Sequence, residues 1–133
     1  MIVPMDSVAV DFDTDKARAF LHDKAARRQR DLHERFEQAW AKFRAIVDML
    51  IAQYDPKRIW QWGSLLREEH FSEISDIDIA VEGVPSAEAF FAMFGDADAL
   101  TRFPLDLVEI DKIRGMHADG IRERGRFVYE RKE

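Results

Sequence analysis

Two short stretches decide the fold of this chain: GS at residues 63–64 and SDIDIAV at residues 75–81. The second stretch is typical of a β-strand, in which side chains alternate between two faces, so Asp76 and Asp78 share one face and stand close together. Two like charges at such a separation are unfavourable unless a cation lies between them, and carboxylate oxygens are the ligands that Mg²⁺ prefers. The aspartate pair therefore indicates a metal site.

The glycine-serine turn adds a second kind of group to this site. Gly63 and Ser64 offer backbone N–H groups and a hydroxyl, which can hold phosphate oxygens. Arg67 follows shortly after them and is a candidate for contact with the same phosphates. Next to a metal-binding aspartate pair, these groups predict a magnesium-nucleotide site.

A third carboxylate lies in the apolar run LDLVEI at residues 105–110, which is typical of another strand. Asp106 interrupts this run, and a carboxylate is costly to bury unless it lies beside water or a cation. Alternation places Asp106 on the face of Val108, with Glu109 on the opposite face. From the strand pattern alone, Glu109 and Asp111 remain alternatives to Asp106.

These features resemble the nucleotidyltransferase superfamily typified by DNA polymerase beta, and most closely its minimal bacterial members, the MNT proteins. The likeness covers roughly residues 58–131: a strand that enters the phosphate loop, a strand with two metal ligands, a later strand with the third carboxylate, and the C-terminal segment at residues 121–130. The resemblance implies an α+β nucleotidyltransferase fold with α/β-like alternation, in which helices flank a small mixed sheet. It also implies that the catalytic residues and metal ligands are Asp76, Asp78 and Asp106, and that the nucleotide-binding residues are Gly63, Ser64 and Arg67.

The same resemblance implies a reaction and a partner. MNT proteins that act on proteins use Mg²⁺ and ATP to attach AMP to a tyrosine hydroxyl of a HEPN-domain toxin, a ribonuclease that is thereby silenced. Asp76 and Asp78 would hold the metal ions that bridge the phosphates, and Asp106 would complete the metal site and help activate the acceptor hydroxyl. We therefore expect an MNT-type antitoxin that transfers AMP from ATP to a partner protein.

Two other functions stay open at this point. The segment between Ser64 and Asp76 is one residue longer than the commonest family spacing, and Glu68 stands where a second glycine often follows the arginine. These departures favour a non-catalytic antitoxin or binding module that acts by complex formation alone. A small-molecule nucleotidyltransferase of the aminoglycoside-modifying kind is the third possibility, although such enzymes normally need a further domain or a dimer mate to form the acceptor pocket.

A long helix is predicted before this core. Residues 15–53 lack glycine and proline and are rich in helix-forming residues, with Asp13 or Thr14 as the N-cap and residues 1–13 extended or loosely ordered. We expect an N-terminal extension and long helix over residues 1–54 and the minimal nucleotidyltransferase core over residues 55–133, within one domain overall. An apolar stripe at three- and four-residue steps should face the sheet: Phe36, Ala39, Trp40, Phe43, Ile46, Val47, Leu50 and Ile51.

The second half of the chain alternates strand and helix signals. Ser86 is the predicted N-cap of a helix, Gly95-Asp96 and Phe103-Pro104 are predicted to bracket a further short segment, and Gly125 is predicted to end the last helix. The predicted strands are Arg58–Trp62, Ile77–Val81, Leu105–Ile110 and Phe127–Tyr129, and the predicted helices are Ala87–Phe94 and Ile113–Glu123.

Composition limits the other possibilities. The chain has 133 residues, which is too few for a processive polymerase with a template-gripping domain, and it has no cysteine for disulfides or a thiolate zinc site. It also has no basic leader followed by an apolar run and no apolar stretch long enough to cross a bilayer, so we expect a cytoplasmic protein without membrane contact. The four histidines lack metal-ligand spacing, and we interpret them as surface or packing residues.

The charge is unevenly distributed. The net charge is -6, yet Lys16 to Arg44 hold nine basic and four acidic residues, a net of +5, which leaves -11 for the remainder. This basic segment could contact RNA or an acidic partner, or mediate homo- or hetero-oligomerisation, but a solvated helix face is the simpler interpretation. Direct binding of nucleic acid therefore stays undecided by the sequence.

Overall fold

The computed structural model describes residues 13–132, so the expectation of extended backbone over residues 1–13 lies outside the described residues except at Asp13. The described chain divides into two units between Asp31 and Leu32. Two single turns of 3-10 helix, Ser64–Leu66 and Glu68–His70, connect the first two strands. The longer elements are α1 (Thr14–Gln53), β1 (Arg58–Trp62), β2 (Ile77–Glu82), α2 (Ala87–Asp98), β3 (Leu105–Glu109), α3 (Gly115–Arg124) and β4 (Arg126–Glu130).

The predicted long helix is confirmed. Asp13 is its N-cap, because the Asp13 Oδ1 atom accepts a hydrogen bond of 3.0 Å from the backbone N–H of Lys16. The helix ends before Asp55, which has a positive φ of 46°, and before Pro56, which disfavours helical geometry in its predecessor. Within the first unit, the helical residues 14–31 are exposed except for two half-buried alanines. No helix within residues 13–132 has both the length and the apolar character needed to cross a membrane.

The sheet is mixed and has the strand order β3-β2-β1-β4. β1 pairs in antiparallel fashion with both β2 and β4, whereas β2 and β3 are parallel. A parallel pair cannot be joined by a tight turn, and α2 is the crossover between these two strands. The expected α+β fold, in which helices flank a small mixed sheet, is confirmed.

One face of the sheet forms the main apolar core. The predicted stripe on α1 packs against this face, and Ala39, Ile46 and Leu50 are fully buried within it. The strands contribute alternate residues to the same cluster, as their period of two requires. These strand residues are Ile59, Ile77, Ile79, Val81 and Leu107, joined by the partly buried Leu105.

The opposite face carries a smaller apolar cluster beneath α3. Trp60 of β1 and Ala80 of β2 are buried there, and they pack with Ala118 and Ile121 of α3. Antiparallel pairing sets Trp60 directly beside Ala80, and the next pair on the same face is Trp62 with Asp78. Along β2, this face therefore changes from the apolar Ala80 to the charged Asp78, which is the next residue on the same face.

Several predicted element ends differ from the structure, and the largest error concerns Gly95. The helix predicted to stop at Phe94 continues to Asp98, so Gly95 lies inside α2. A glycine costs about 1 kcal/mol relative to alanine within a helix, but the burial of Met93 and Ala97 on either side offsets that cost. The other differences are small: β2 extends to Glu82, β3 ends at Glu109, α3 spans Gly115–Arg124 and β4 spans Arg126–Glu130.

Candidate active site

The three predicted carboxylates meet at the ends of two neighbouring parallel strands. Asp78 of β2 pairs in register with Asp106 of β3, so both side chains lie on the face away from α1. Asp76 precedes β2 by one residue and, two residues from Asp78, belongs to the same face. Register and strand alternation thus bring together the residues predicted from two distant parts of the sequence.

The surroundings of Asp78 and Asp106 disfavour the charged form of each carboxyl group. Burial and the negative charges of Asp106 and Asp76 raise the pKa of Asp78 to about 7, and only 8 % of this residue is exposed. Burial and the charge of Asp76 also raise the pKa of Asp106, which His117 partly offsets. Carboxyl groups with raised pKa values that face one another are a feature of functional sites.

The backbone at Gly63 lies so close to the Asp78 side chain that a larger residue does not fit there. Its φ is +82°, a region that favours glycine, and a Cβ atom placed on it would lie only 1.9 Å from the Asp78 Oδ2 atom. The turn therefore passes directly over the carboxylate, at a distance that only glycine allows. Ser64 follows as the first residue of a single 3-10 turn and is half-buried.

The residues that follow Ser64 do not form a glycine-rich phosphate loop. Arg67 has extended backbone between the two 3-10 turns and an exposed side chain. The Glu68 carboxylate forms a hydrogen bond and ion pair with Nδ1 of His33 on α1, which raises the pKa of that histidine. Glu68, which stands where relatives often have glycine, thus connects this loop to the long helix.

Two adjoining clefts open between this loop and α3. The smaller cleft, of about 250 Å³, is lined by Trp62, Gly63 and residues of α3. The larger cleft, of about 580 Å³, is lined by Gly63, Arg67 and Arg124 among others. Gly63, which lies against Asp78, contributes to both clefts, so the adjoining space has an aromatic side at Trp62 and His117 and a charged side at Arg67, Glu123 and Arg124.

His117 is a site residue that the sequence interpretation missed. Its ring meets Trp62 edge to face, with ring centroids 5.3 Å apart, and its charge lowers the pKa of Asp106. The signal was present in the spacing of α3, because His117, Gly120, Ile121 and Arg124 recur at helical intervals and all line the smaller cleft. The interpretation of the four histidines as surface or packing residues did not single out His117, whose ring packs against Trp62 beside the site.

The donor chemistry of the site fits a hard divalent cation. Among residues 13–132, no group of three or more histidine, cysteine, aspartate or glutamate side chains encloses a metal position by itself. Mg²⁺ is usually held by one or two carboxylates together with substrate phosphates and water, rather than by an all-protein cage. Asp78 presents a buried carboxylate beside two others, and burial together with the charges of Asp106 and Asp76 raises its pKa.

Comparison with known protein families gives a match. A model of the nucleotidyltransferase domain family matches residues 40–128, which is more than half of the chain. The chain belongs to this family. No curated protein and no solved structure matches it significantly.

Membership of the nucleotidyltransferase family assigns the chain a nucleotidyl transfer activity in general, and domains of this family generally use nucleoside triphosphates and divalent metal ions. The match begins within α1, at Trp40, and ends within β4, so it includes all three carboxylates and the loop at Gly63. The structure also separates Asp106 from its two sequence alternatives. Glu109 lies on the α1 face of β3 and is paired with Lys112, while Asp111 is exposed beyond the strand.

Proposed function

We propose that this nucleotidyltransferase transfers AMP from ATP to a hydroxyl group of a partner protein, as an MNT-type antitoxin does to a HEPN-domain toxin. The observation that carries the reaction class is the in-register pair of Asp78 and Asp106 beside Asp76 and beneath the Gly63 turn. The choice of acceptor and partner rests on the resemblance to MNT proteins. Such a partner would meet the protein in the cytoplasm.

Each side chain has a role in this proposal. Asp76, Asp78 and Asp106 would hold Mg²⁺, which when bound neutralises phosphate charge. The acceptor oxygen attacks the α-phosphorus of ATP, the bond to the pyrophosphate oxygen breaks, and Asp106 takes the proton of the acceptor hydroxyl.

The loop and the clefts would position the nucleotide. Gly63 allows the backbone to approach closely, and Ser64 would donate a hydrogen bond to a terminal phosphate. Arg67 and Arg124 line the larger cleft and would offset the charge of the departing pyrophosphate. Trp62 and His117 form the aromatic wall of the smaller cleft, against which a base could pack.

The direct test is the intact mass of the partner, taken as the product of a neighbouring gene or a co-purifying protein. The partner is incubated with this protein, Mg²⁺ and each nucleoside triphosphate in turn, and an Asp76→Asn, Asp78→Asn double variant is the control. A mass gain of one or more AMP units with ATP, absent in the control, is the expected result. A stable complex without any mass gain would contradict transfer.

A contact-only antitoxin is the second candidate, and the loop favours it. Glu68 is paired with His33, so this loop is attached to α1 instead of carrying a second flexible glycine. The two candidates differ in their response to the Asp76→Asn, Asp78→Asn double variant. Inhibition of the partner that survives this change would support action by contact, whereas loss of inhibition with an intact complex would support catalysis.

A further inference from the structure

A third cleft, of about 530 Å³, lies on the α1 side of the sheet. One wall is a face of α1, and the other is the segment that joins α2 to β3, where Phe103 packs against the main apolar core. The three carboxylates lie on the opposite face of the sheet, so this cleft is separate from the candidate active site. We call it the cationic groove, and its polar or aromatic lining residues are Arg35, Gln38, Lys42, Thr101, Arg102 and Phe103.

The cationic groove is positively charged, whereas residues 32–133 as a whole carry a net negative charge. Residues 32–133 contain 14 basic and 20 acidic residues, yet the lining includes three cations and no carboxylate. Arg35, Lys42 and Arg102 form no ion pair with any residue of the described range 13–132. Cations gathered without a counter-charge repel one another, and an anionic ligand would relieve that repulsion.

Arg35 is held in place within the groove. Its guanidinium carbon lies 4.6 Å from the centroid of the Phe103 ring, and its Nε atom is shielded from solvent without a hydrogen-bond partner. Stacking on the ring fixes the plane of the guanidinium before any ligand arrives. The planar fork of an arginine matches two oxygens of a phosphate group, which makes a pre-positioned arginine a suitable phosphate ligand.

Donors reach the groove from both of its walls. Arg35, Gln38 and Lys42 are three and four residues apart on α1, so they share one helix face. On the other wall, the Thr101 hydroxyl accepts a hydrogen bond of 3.0 Å from the backbone N–H of Phe103 and still has its own proton to donate. Arg102 adds a third charge beside it. A tetrahedral anion with several oxygens can use donors from both directions.

We propose that the cationic groove binds a small molecule with a diphosphate group, either free pyrophosphate or the phosphate chain of a nucleotide. The volume of the groove lies within the range of small-molecule sites, about 300–1,000 Å³. Sites for single-stranded nucleic acid combine a charged track with free aromatic faces, whereas the Phe103 face is covered by Arg35. The groove therefore suits a compact phosphate ligand better than a nucleic acid strand.

The test is calorimetric titration of the full chain with pyrophosphate, at about 150 mM salt and without divalent metal, so that weak surface attraction is screened. Inorganic phosphate, ADP and ATP are titrated separately to distinguish free from nucleotide-borne diphosphate. The decisive variant is Arg102→Gln, which lies in an exposed segment, followed by Arg35→Gln with Lys42→Gln. We expect Kd to rise about ten-fold or more in each, because a charge-assisted contact is lost.

Controls separate this proposal from general charge and from the active site. Arg44→Gln removes an α1 cation that does not line the groove and should leave Kd unchanged. Repeating the titration in the Asp76→Asn, Asp78→Asn background tests whether the active site contributes, and Arg102→Gln should raise Kd there by the same factor, whether or not nucleotidyl transfer is confirmed. Thermal unfolding of each variant checks that the fold persists.

Three results would overturn the assignment. The first is no measurable heat when the wild-type protein is titrated with millimolar pyrophosphate. The second is an equal Kd in the wild type and in Arg102→Gln. The third is a loss of affinity in Arg44→Gln as large as that in the groove variants. If a short single-stranded RNA bound far more tightly than pyrophosphate and lost affinity in the same variants, the groove would instead be a nucleic acid surface.

Discussion

The two faces of the sheet use alternate residues of the same strands, but they meet different demands. On the α1 face, Ile77 and Ile79 are fully buried among apolar side chains. On the other face, Asp78 directly follows Ile77 and lies beside Asp106 of β3, and the pKa values of both carboxyl groups are raised. The first face stabilises the fold, whereas the second holds like charges together at a cost in stability. A period of two thus lets one strand serve both purposes, and substitutions on the two faces should have separable effects.

The largest effect is expected on the charged face. Asp78→Asn or Asp106→Asn should lower nucleotidyl transfer by about 10²–10³-fold or more, because each removes a carboxylate that would hold the metal ion beside the reacting phosphates. The measurement is the rate of nucleotide incorporation into the acceptor. Ile79→Val, on the opposite face of β2, is the matched control and should leave that rate unchanged. Equal losses in the control and in the aspartate variants would mean that the two faces are not separable.

The reverse pattern is expected on the α1 face. Ile79→Ala should lower the free energy of unfolding by about 2–5 kcal/mol, since it leaves a cavity in a fully buried cluster. Urea denaturation measures this change, and the transfer rate per folded molecule should stay near that of the wild type. A large loss of activity at full folding would show that the core also sets the geometry of the site.

Gly63→Ala should lower both the stability and the transfer rate, because the Gly63 backbone lies against the Asp78 side chain. A left-handed backbone costs a non-glycine residue about 1–2 kcal/mol, and the new methyl group would also displace the Asp78 carboxylate. Both the free energy of unfolding and the transfer rate should fall. Gly95→Ala is the contrasting control, since a Cβ there meets nothing within 4 Å and helix propensity predicts a gain of about 0.5–1 kcal/mol.

The smallest effect concerns pH in the metal-free protein. The pKa of Asp78 is about 7 in the folded protein and near 3.8 when unfolded, so between these values the folded state retains a proton that the unfolded state releases. Stability therefore falls as pH rises from about 4 to 7, and this loss is complete above the folded pKa.

Asp78→Asn removes this dependence. Its stabilisation relative to the wild type should be absent near pH 4, grow as pH rises toward 7 and be greatest at pH 8. Thermal unfolding at both pH values, in the presence of a chelator, measures the difference. A variant that is less stable than the wild type at pH 8 would contradict the proposed repulsion.

The sequence predicted the parts of the fold that follow a local period. The apolar stripe of α1 and the alternation in β2 each specify a buried face, so the contents of the core and the faces of Asp78 and Asp106 followed directly. Gly95 misled the prediction because the burial of its helix neighbours, which sequence does not display, offset its low propensity.

The candidate site was predicted only in part, for a related reason. Asp78 and Asp106 become neighbours through strand order and parallel register, which the sequence suggests only by resemblance. His117 was missed because its relation to Trp62 depends on how α3 lies across the sheet. The pairing of His33 with Glu68 was missed because 35 positions separate the two residues. Such contacts are set by tertiary packing rather than by local pattern.

The parallel connection between β2 and β3 also bears on the order in which the molecule assembles. The β1–β2 pair contains Gly63 and Asp78 within a short stretch of chain, whereas Asp106 arrives only after the α2 crossover has closed. Contacts between distant positions form late because loop closure costs entropy. Repulsion among the carboxylates therefore opposes the pairing of β2 with β3, and refolding should be fastest where that charge is neutralised. Until β3 has paired with β2, Asp106 does not lie beside Asp78, so a partly folded chain has no assembled site.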